Sequence, residues 1–447
     1  MSEKTDRRTY LKVVGGTVGG LVVGGAIGYL AKPSEVVEKT ITQTQAATKT
    51  LTATGPTITA TKRLLRVINW GARPAFDKLW MTFEQKRPDV ELVIDDNPLQ
   101  GHDYYTYYEQ KLATEQPLDI FPTSAGMYVM KLVGLDLLLD LTAALKARTD
   151  FVVNPSVMEN QLGPPGKVYA YPWSILPFPL VYNKKIFDEY GLKPPKSWDE
   201  FHTIIETLYK PDQDLYPFAF PGGFTWYGPA WIITNPVLQT VGYNAFIKAW
   251  EHPDQLKFDD PLFAEGIKEA KYLFDRSAPG TWTRTWDEEI AMVAAGKAAI
   301  SMGHPDHYVK ILKASPPGMG PEDYGVFPYP PRKAGGKPTV HVALIAMMIN
   351  KKTADPDLAI EFLNYIMSPE LSKEYARKFD ETGYAFSPIP EANLEYTDPV
   401  MVDYGKAMSE SDLVLCDDTQ ITTAPEFIDY FRTQVDKALA GETTAEQ

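Results

Sequence analysis

The sequence predicts an α/β fold, a sheet-and-helix body set behind an N-terminal tract of a different kind. Three observations carry this. From residue 63 onward, short β-prone runs alternate with segments of helical period. The 447 residues are 44% hydrophobic and 23% charged, an ordinary globular composition in a chain long enough for about three domains. Charge also breaks near residue 62. Residues 1–62 hold eight Lys and Arg against four acids, a net of +4, which leaves −18 for the remainder of a chain whose total is −14. So acidic a body argues against nucleic acid as its partner, because neutralising phosphates needs a basic surface. The lone cysteine, Cys416, makes neither an intrachain disulfide nor a cysteine-rich zinc site.

The first element is an address. Asp6-Arg7-Arg8-Thr9-Tyr10-Leu11-Lys12 precedes an uncharged, glycine-rich apolar run over residues 13–30. A basic segment before an apolar one is an export signal. The paired arginines ahead of Tyr-Leu-Lys resemble a twin-arginine signal, with Asp6 where Ser or Thr is usual. Such a signal implies export of an already folded protein, which suits a body without disulfides. An ordinary secretory signal is the alternative. As a helix, 18 residues rise ~27 Å, close to the ~30 Å hydrocarbon core. No clean A-x-A site follows, so residues 1–31 read as a signal or a retained anchor. Residues 32–62 form a linker, with ten threonines between 39 and 62 and few bulky apolar side chains. Such a segment buries too little surface to offset ordering. Beside a membrane it reads as a flexible tether open to O-glycosylation.

The body then proceeds element by element. Leu65–Gly71 is a β-prone run ending at a turn, and Ala75–Lys86 has helical spacing through Phe76, Leu79, Trp80 and Phe83. Val90–Ile94 is a second strand, Tyr104–Ala113 a helix and Leu118–Phe121 a third strand. A βαβαβ start argues a parallel sheet with helices on both faces. Ligands of such sheets sit beyond the carboxyl ends of the strands, which places Trp70, Thr123 and Ser124 at a candidate site. Strands are expected at Gly166–Pro172 and Phe178–Asn183, and Val340–Ile349 is a nearly continuous apolar strand. Helices are expected at Ser197–Tyr209, Pro261–Arg276, Asp287–Ala295, Ala354–Met367, Pro369–Phe379 and Pro425–Leu439. Ser197 and Glu200 have capping-box spacing. No internal repeat is present.

Ordered blocks give the body a family likeness. Phe83-Glu84 is followed by Arg87-Pro88-Asp89-Val90-Glu91, then by Gly134–Leu139 leading into Asp140-Leu141-Thr142. Gly166–Pro172, Val181-Tyr182-Asn183-Lys184 and Pro194–Phe201 come next, then Gly296–Ile300, Ala359–Ser368 and Ala438–Gly441. In this order, over nearly all of residues 63–447, the chain resembles the family 1 extracellular solute-binding proteins of ABC importers, the group that includes the maltose-binding protein. The resemblance implies a periplasmic-binding-protein type II fold of two α/β lobes. Residues 63–175 and 346–396 would form lobe 1, and 176–345 and 397–447 lobe 2. The chain would cross between them near Ile175–Phe178 and Val342–Ile345, and ligand would close the hinge. It further implies a small-molecule ligand, with carbohydrate the expected class, and ABC permease subunits as partners. A monomer at the outer face of the membrane is expected, with no cofactor.

Aromatic residues make the site candidates, because flat rings stack on the apolar faces of sugars while polar rims orient hydroxyls. Trp70 follows the first strand. Thr123 and Ser124 stand where the maltose-type binders keep an aromatic contact, which implies a smaller subsite. Trp173 is a candidate for ligand contact or for hinge packing. Phe224 and Trp226 lie in Phe218–Tyr227, which resembles the family's aromatic platform. His304 and Asp306 belong to Gly303–Tyr308, where the family often has a stacking tryptophan. A carboxylate there suits sugar hydroxyls or a cationic ligand. The His-x-Asp-His pattern also reads as a metal site, though a surface turn with a helix cap explains it more simply. Asp287-Glu288-Glu289 is the acid cluster a secreted glycosidase would need. Adjacent helical positions face different ways, and a solvated helix start complementing the dipole accounts for it. No nucleophile elbow, phosphate loop or HExxH motif is present. A secreted glycoside hydrolase and a cell-surface structural protein are the other readings.

Overall fold

Runs of Val, Ile and Leu that alternate with helical segments become strands buried between helices. The computed structural model describes residues 62–69, 74–96, 103–114, 118–150, 162–223, 232–242, 260–303, 305–382, 386–415 and 425–447. The expected signal and all but the last residue of the tether lie outside them, as do Trp70, Phe224, Trp226 and His304. In chain order the described strands are β1 (Arg63–Asn69), β2 (Val90–Asp96), β3 (Ile120–Ser124), β4 (Ala170–Phe178), β5 (Leu180–Asn183), β6 (Tyr216–Phe218), β7 (Ala298–Ser301), β8 (Tyr324–Phe327), β9 (Thr339–Ile349) and β10 (Asp412–Leu415).

They form two sheets. One runs β10-β9-β3-β1-β2 and carries β4 on the other edge of β9; the second runs β6-β7-β5-β8. The βαβαβ start is present, with β1 parallel to both β2 and β3. β9 explains why its sequence reads as continuously apolar. Ile345, Met347 and Ile349 enter one core with Phe76, Trp80 and Phe362, while Leu344, Ala346 and Met348 enter another with Tyr108, Phe121 and Leu132. The side chains alternate, but both faces are covered by helices. The second sheet has its own core around Phe201, Phe218, Ile300 and Phe327. This is the two-lobed α/β architecture the resemblance implied.

Several boundaries differ from expectation. The helix expected over Ala75–Lys86 is two helices, Pro74–Met81 and Phe83–Lys86. They part at Thr82, whose Oγ1 donates to the Leu79 carbonyl and lies 2.6 Å from the Tyr365 hydroxyl. Such local side-chain bonding competes with the helical ladder. The strands expected at 166–172 and 178–183 are instead β4, running through Pro172 and Pro177, and β5 after Pro179. β4 tolerates its prolines because it lies at an edge of the sheet, where a missing N–H breaks no ladder. At the helix Trp198–Leu208, Ser197 accepts from the Glu200 amide at 3.3 Å, but Glu200 reaches past it to the Lys196 amide at 2.7 Å. A full capping box joins Thr285 and Glu288 instead. The helix Pro399–Glu410 was not anticipated, although Asp398 caps it through the amides of Val400 and Met401 and Pro399 occupies its first position.

Candidate functional site

The carboxyl ends of the first sheet and the strands leaving it define where a site is built. β4 and β9 pair antiparallel along nearly their whole lengths, with Ile175 opposite Leu344, Leu176 opposite Ala343, Pro177 opposite Val342 and Phe178 opposite His341. The two expected crossing segments are therefore the two strands of one ribbon. Both strands belong to the first sheet, and one end of the ribbon adjoins the second. Pro179 alone separates β4 from β5 of the second sheet. Thr339, at the start of β9, exchanges backbone hydrogen bonds with Tyr329 just beyond β8, both 3.0 Å. A third segment joins them, since Ile175 and Phe386 exchange backbone bonds of 2.7 and 3.0 Å. Burial sets the chemistry of the ribbon. His341 is fully buried with its ring 4.6 Å from that of Phe178, and burial lowers its pKa to about 3, so it stays neutral.

On the first sheet, Asn69 ends β1 in full burial and donates from Nδ2 to Asp77 Oδ1 at 2.7 Å. Thr123 and Ser124 end β3 and are also buried; Thr123 Oγ1 donates to the Ser124 carbonyl at 2.7 Å. They pair with Ala346 and Ile345 of β9 and so stand against the ribbon. Trp173 occupies a bulge, because Pro172 faces Ala346 and Ser174 already faces Ile345. A bulge re-aims a side chain. Here the ring lies edge-on to Phe76 and Trp80, at 5.2 and 5.6 Å, and is 4% exposed.

On the second sheet, the chain after β6 makes the Gly222-Gly223 turn. A side chain at either glycine would strike backbone: the Cβ would lie 2.7 Å from the Thr281 carbonyl oxygen at Gly222 and 2.8 Å from that of Arg284 at Gly223. The Gly223 amide donates to the Arg284 carbonyl at 3.0 Å. The Arg284 guanidinium, 6% exposed as a residue, donates to the carbonyls of Phe220 at 3.1 Å, of Ala278 at 3.2 Å and of Pro279. This clamp fixes the turn that leads into Phe224 and Trp226. Asp306 stands in the first turn of the helix Pro305–Ala314, with its Oδ2 3.1 Å from Lys310 Nζ. Among the described residues no group of three His, Cys, Asp or Glu side chains is placed to hold a metal ion.

The structure thus brings Thr123, Ser124 and Trp173 to the ribbon and places Asp306 at a helix start beyond β7. Sequence reasoning missed Arg284, whose burial has no local signature. It also took Asp287-Glu288-Glu289 as a solvated helix start. Glu288 fits, because its carboxylate accepts from the Thr285 amide at 2.7 Å and is held below its usual range by that bond. Glu289 does not: it is 2% exposed, and burial pushes its carboxyl up to about 7. The contact with Ser301 after the loop could not be read from spacing.

Comparison with known proteins fits this geometry. Residues 70–373 match the family described as bacterial extracellular solute-binding protein. An ABC transporter extracellular-binding protein of Pyrococcus horikoshii is 26% identical over 380 residues, covering 80% of this chain and 79% of that protein. The multiple sugar-binding protein of Streptococcus mutans is 26% identical over 215 residues, which is 47% of this chain and 49% of that one. A solved chitin oligosaccharide binding protein shares the fold at a TM-score of 0.71 with 18% identity, over 86% of this chain and 95% of its own. Since the matched region takes in well over half of the sequence, the chain belongs to the bacterial extracellular solute-binding protein family.

Proposed function

We propose that this chain binds an uncharged oligosaccharide between its two lobes and hands it to the permease subunits of an ABC importer, without turning it over. The single observation that carries the reading is the β4–β9 ribbon of the first sheet, which adjoins the second only through Pro179 and the Thr339–Tyr329 backbone pair. Hinge closure needs only a few element-terminal residues to absorb the change, and the ends of these strands at Pro179 and Thr339 are such positions. The relationship to the multiple sugar-binding protein of Streptococcus mutans supports carbohydrate as the ligand class. So do Thr123 and Ser124 beside the ribbon, the aromatic residues Trp70, Phe224 and Trp226, and His304 and Asp306 for hydroxyl contacts. Trp173 packs into the core of the first sheet against Phe76 and Trp80. The lobes are taken as 63–175 with 346–396 and 176–345 with 397–447, except that β10 pairs with β9 and so joins the first sheet. The body is read as a monomer held at the outer face of the membrane by residues 1–31 and the threonine-rich tether. No helix among the described residues is long and apolar enough to cross a membrane.

Two measurements test this reading. With saturating maltotriose as probe, small-angle scattering of residues 63–447 is expected to give a smaller radius of gyration. An unchanged profile at proven occupancy would rule out closure. Trp226→Ala is expected to weaken maltotriose binding by about 2 kcal/mol, roughly 25- to 30-fold, as loss of a desolvated aromatic anchor does. Calorimetric titration beside a melting curve reads it; unchanged affinity in a folded mutant removes Trp226 from the site. Release of reducing sugar from a polysaccharide would favour the hydrolase instead.

A further inference from the structure

β7 ends at Ser301, and the next residues lead through Gly303 into the helix Pro305–Ala314. Beneath that turn lies a buried polar group that solute binding leaves unused. Ser301 Oγ donates to Glu289 Oε1 at 2.6 Å. The second oxygen, Oε2, has no hydrogen-bond partner among the described residues and lies 3.9 Å from His307 Nδ1. His307 is 4% exposed, and its ring stands edge-on to Trp286 with centroids 3.9 Å apart. The same histidine backs onto Gly303, where a side chain would come within 2.5 Å of the His307 Cβ. From another side the Tyr404 hydroxyl donates to the Gly303 carbonyl at 3.0 Å. The placement of Gly303 therefore depends on how His307 is seated.

An acid and an imidazole this close and this buried titrate as a pair. With one proton between them the pair is neutral overall. Without it, a net negative charge sits on buried side chains, which is costly unless paired. Several of the described charged or phenolic groups around the pair are already committed. The Arg284 guanidinium is committed to three carbonyls. Tyr404 is fully buried, and burial holds its phenol well above the usual value, so it stays neutral. On the adjoining helices, Glu288 caps at Thr285, Asp306 faces Lys310, and Asp398 accepts from Tyr308. Burial favours the protonated Glu289 carboxyl, with the Ser301 bond and the Arg284 charge acting the other way.

We infer that Glu289 and His307 hold one proton between them and act as positioning residues for Gly303 and the first turn of the helix Pro305–Ala314, whose seating loosens when that proton is lost at higher pH. The consequence for solute affinity rests on the proposal that this turn faces the ligand. The decisive test needs no ligand. In protein labelled with ¹⁵N-histidine, with the His307 signal assigned through His307→Gln, the imidazole midpoint is expected to fall by about one pH unit or more in Glu289→Gln. Amide exchange at Gly303 and Asp306, corrected for intrinsic base catalysis, should speed up about tenfold between pH 6 and 8.5 in the parent and stay flat in Glu289→Gln. Should Glu289→Gln not fold, Ser301→Ala decides. It removes a donor that favours the carboxylate, so loss of protection should move to higher pH. An unmoved His307 midpoint, pH-independent exchange in the parent, or a downward move in Ser301→Ala overturns the inference. Maltotriose titrations on the same proteins should weaken about tenfold over that pH range in the parent only. If maltotriose binds none of them while the ligand-free profiles hold, the choice of sugar fails and the proton pair stands.

Discussion

Trp173→Ala is expected to lower the stability of the body by about 3–5 kcal/mol, while solute affinity of the protein that remains folded changes little. The bulge at Trp173 turns the indole out of the alternation of β4 and into the core beneath the helix Pro74–Met81. There it meets Phe76 and Trp80 edge-on, the arrangement aromatic quadrupoles favour. Trp80 is itself fixed, donating from Nε1 to the Tyr375 hydroxyl at 3.0 Å, and Tyr375 donates onward to the Ile366 carbonyl at 2.9 Å. Removing Trp173 leaves a cavity bounded by rings that are held and cannot collapse into it, which is the condition for a cost at the upper end. A melting curve and a calorimetric titration with maltotriose read both quantities. A 25-fold loss of affinity with an unchanged melting temperature would assign the indole to the ligand instead.

The same residue shows how far the sequence carries. Trp173 lies at the end of a strand leading to the hinge, and from spacing alone hinge packing and ligand contact were equal readings. Only the offset between Pro172 and Ser174 decides which way the ring points. Where the signal is periodic and long, the sequence sufficed. Val340–Ile349 is β9 within one residue, and the alternation of β1, β2 and β3 with helices fixed the parallel start. Where a boundary depends on one side chain meeting a distant one, it did not. Thr82 breaks a helix because Tyr365 is beside it, a residue far along the chain. Prolines misled in β4 because a strand at the edge accepts them. The acid cluster makes the point within three adjacent residues: Glu288 is a cap and Glu289 is buried, and the difference rests on Ser301. The aromatic candidates Trp70, Phe224 and Trp226 remain readings of the sequence, lying outside the described residues.

The Arg284 clamp at the Gly222-Gly223 turn gives the other large effect. Arg284→Ala is expected to cost about 3 kcal/mol or more, because removing a buried donor leaves its acceptors unsatisfied at about 1–3 kcal/mol each. The carbonyls of Phe220 and Pro279 would lose the guanidinium, and that of Ala278 would keep only the Thr281 hydroxyl. Some of this is offset, since burial already disfavours the charge and lowers the pKa of Arg284. Arg284→Lys should recover only part of the loss, because one ammonium cannot span acceptors arranged for a planar fork. The change should also reach the ligand. Phe220 precedes the Gly222-Gly223 turn, where the Gly223 amide is bonded to the Arg284 carbonyl, and Phe224 is the next residue in the sequence. If Phe224 and Trp226 form the sugar platform, maltotriose affinity in Arg284→Lys falls although no ligand contact has been removed. Melting curves on both variants, with titration of the lysine variant, separate the two effects. A lysine variant as stable as the parent would show that charge alone holds the turn, and unaltered affinity in a destabilised one would detach the clamp from the platform.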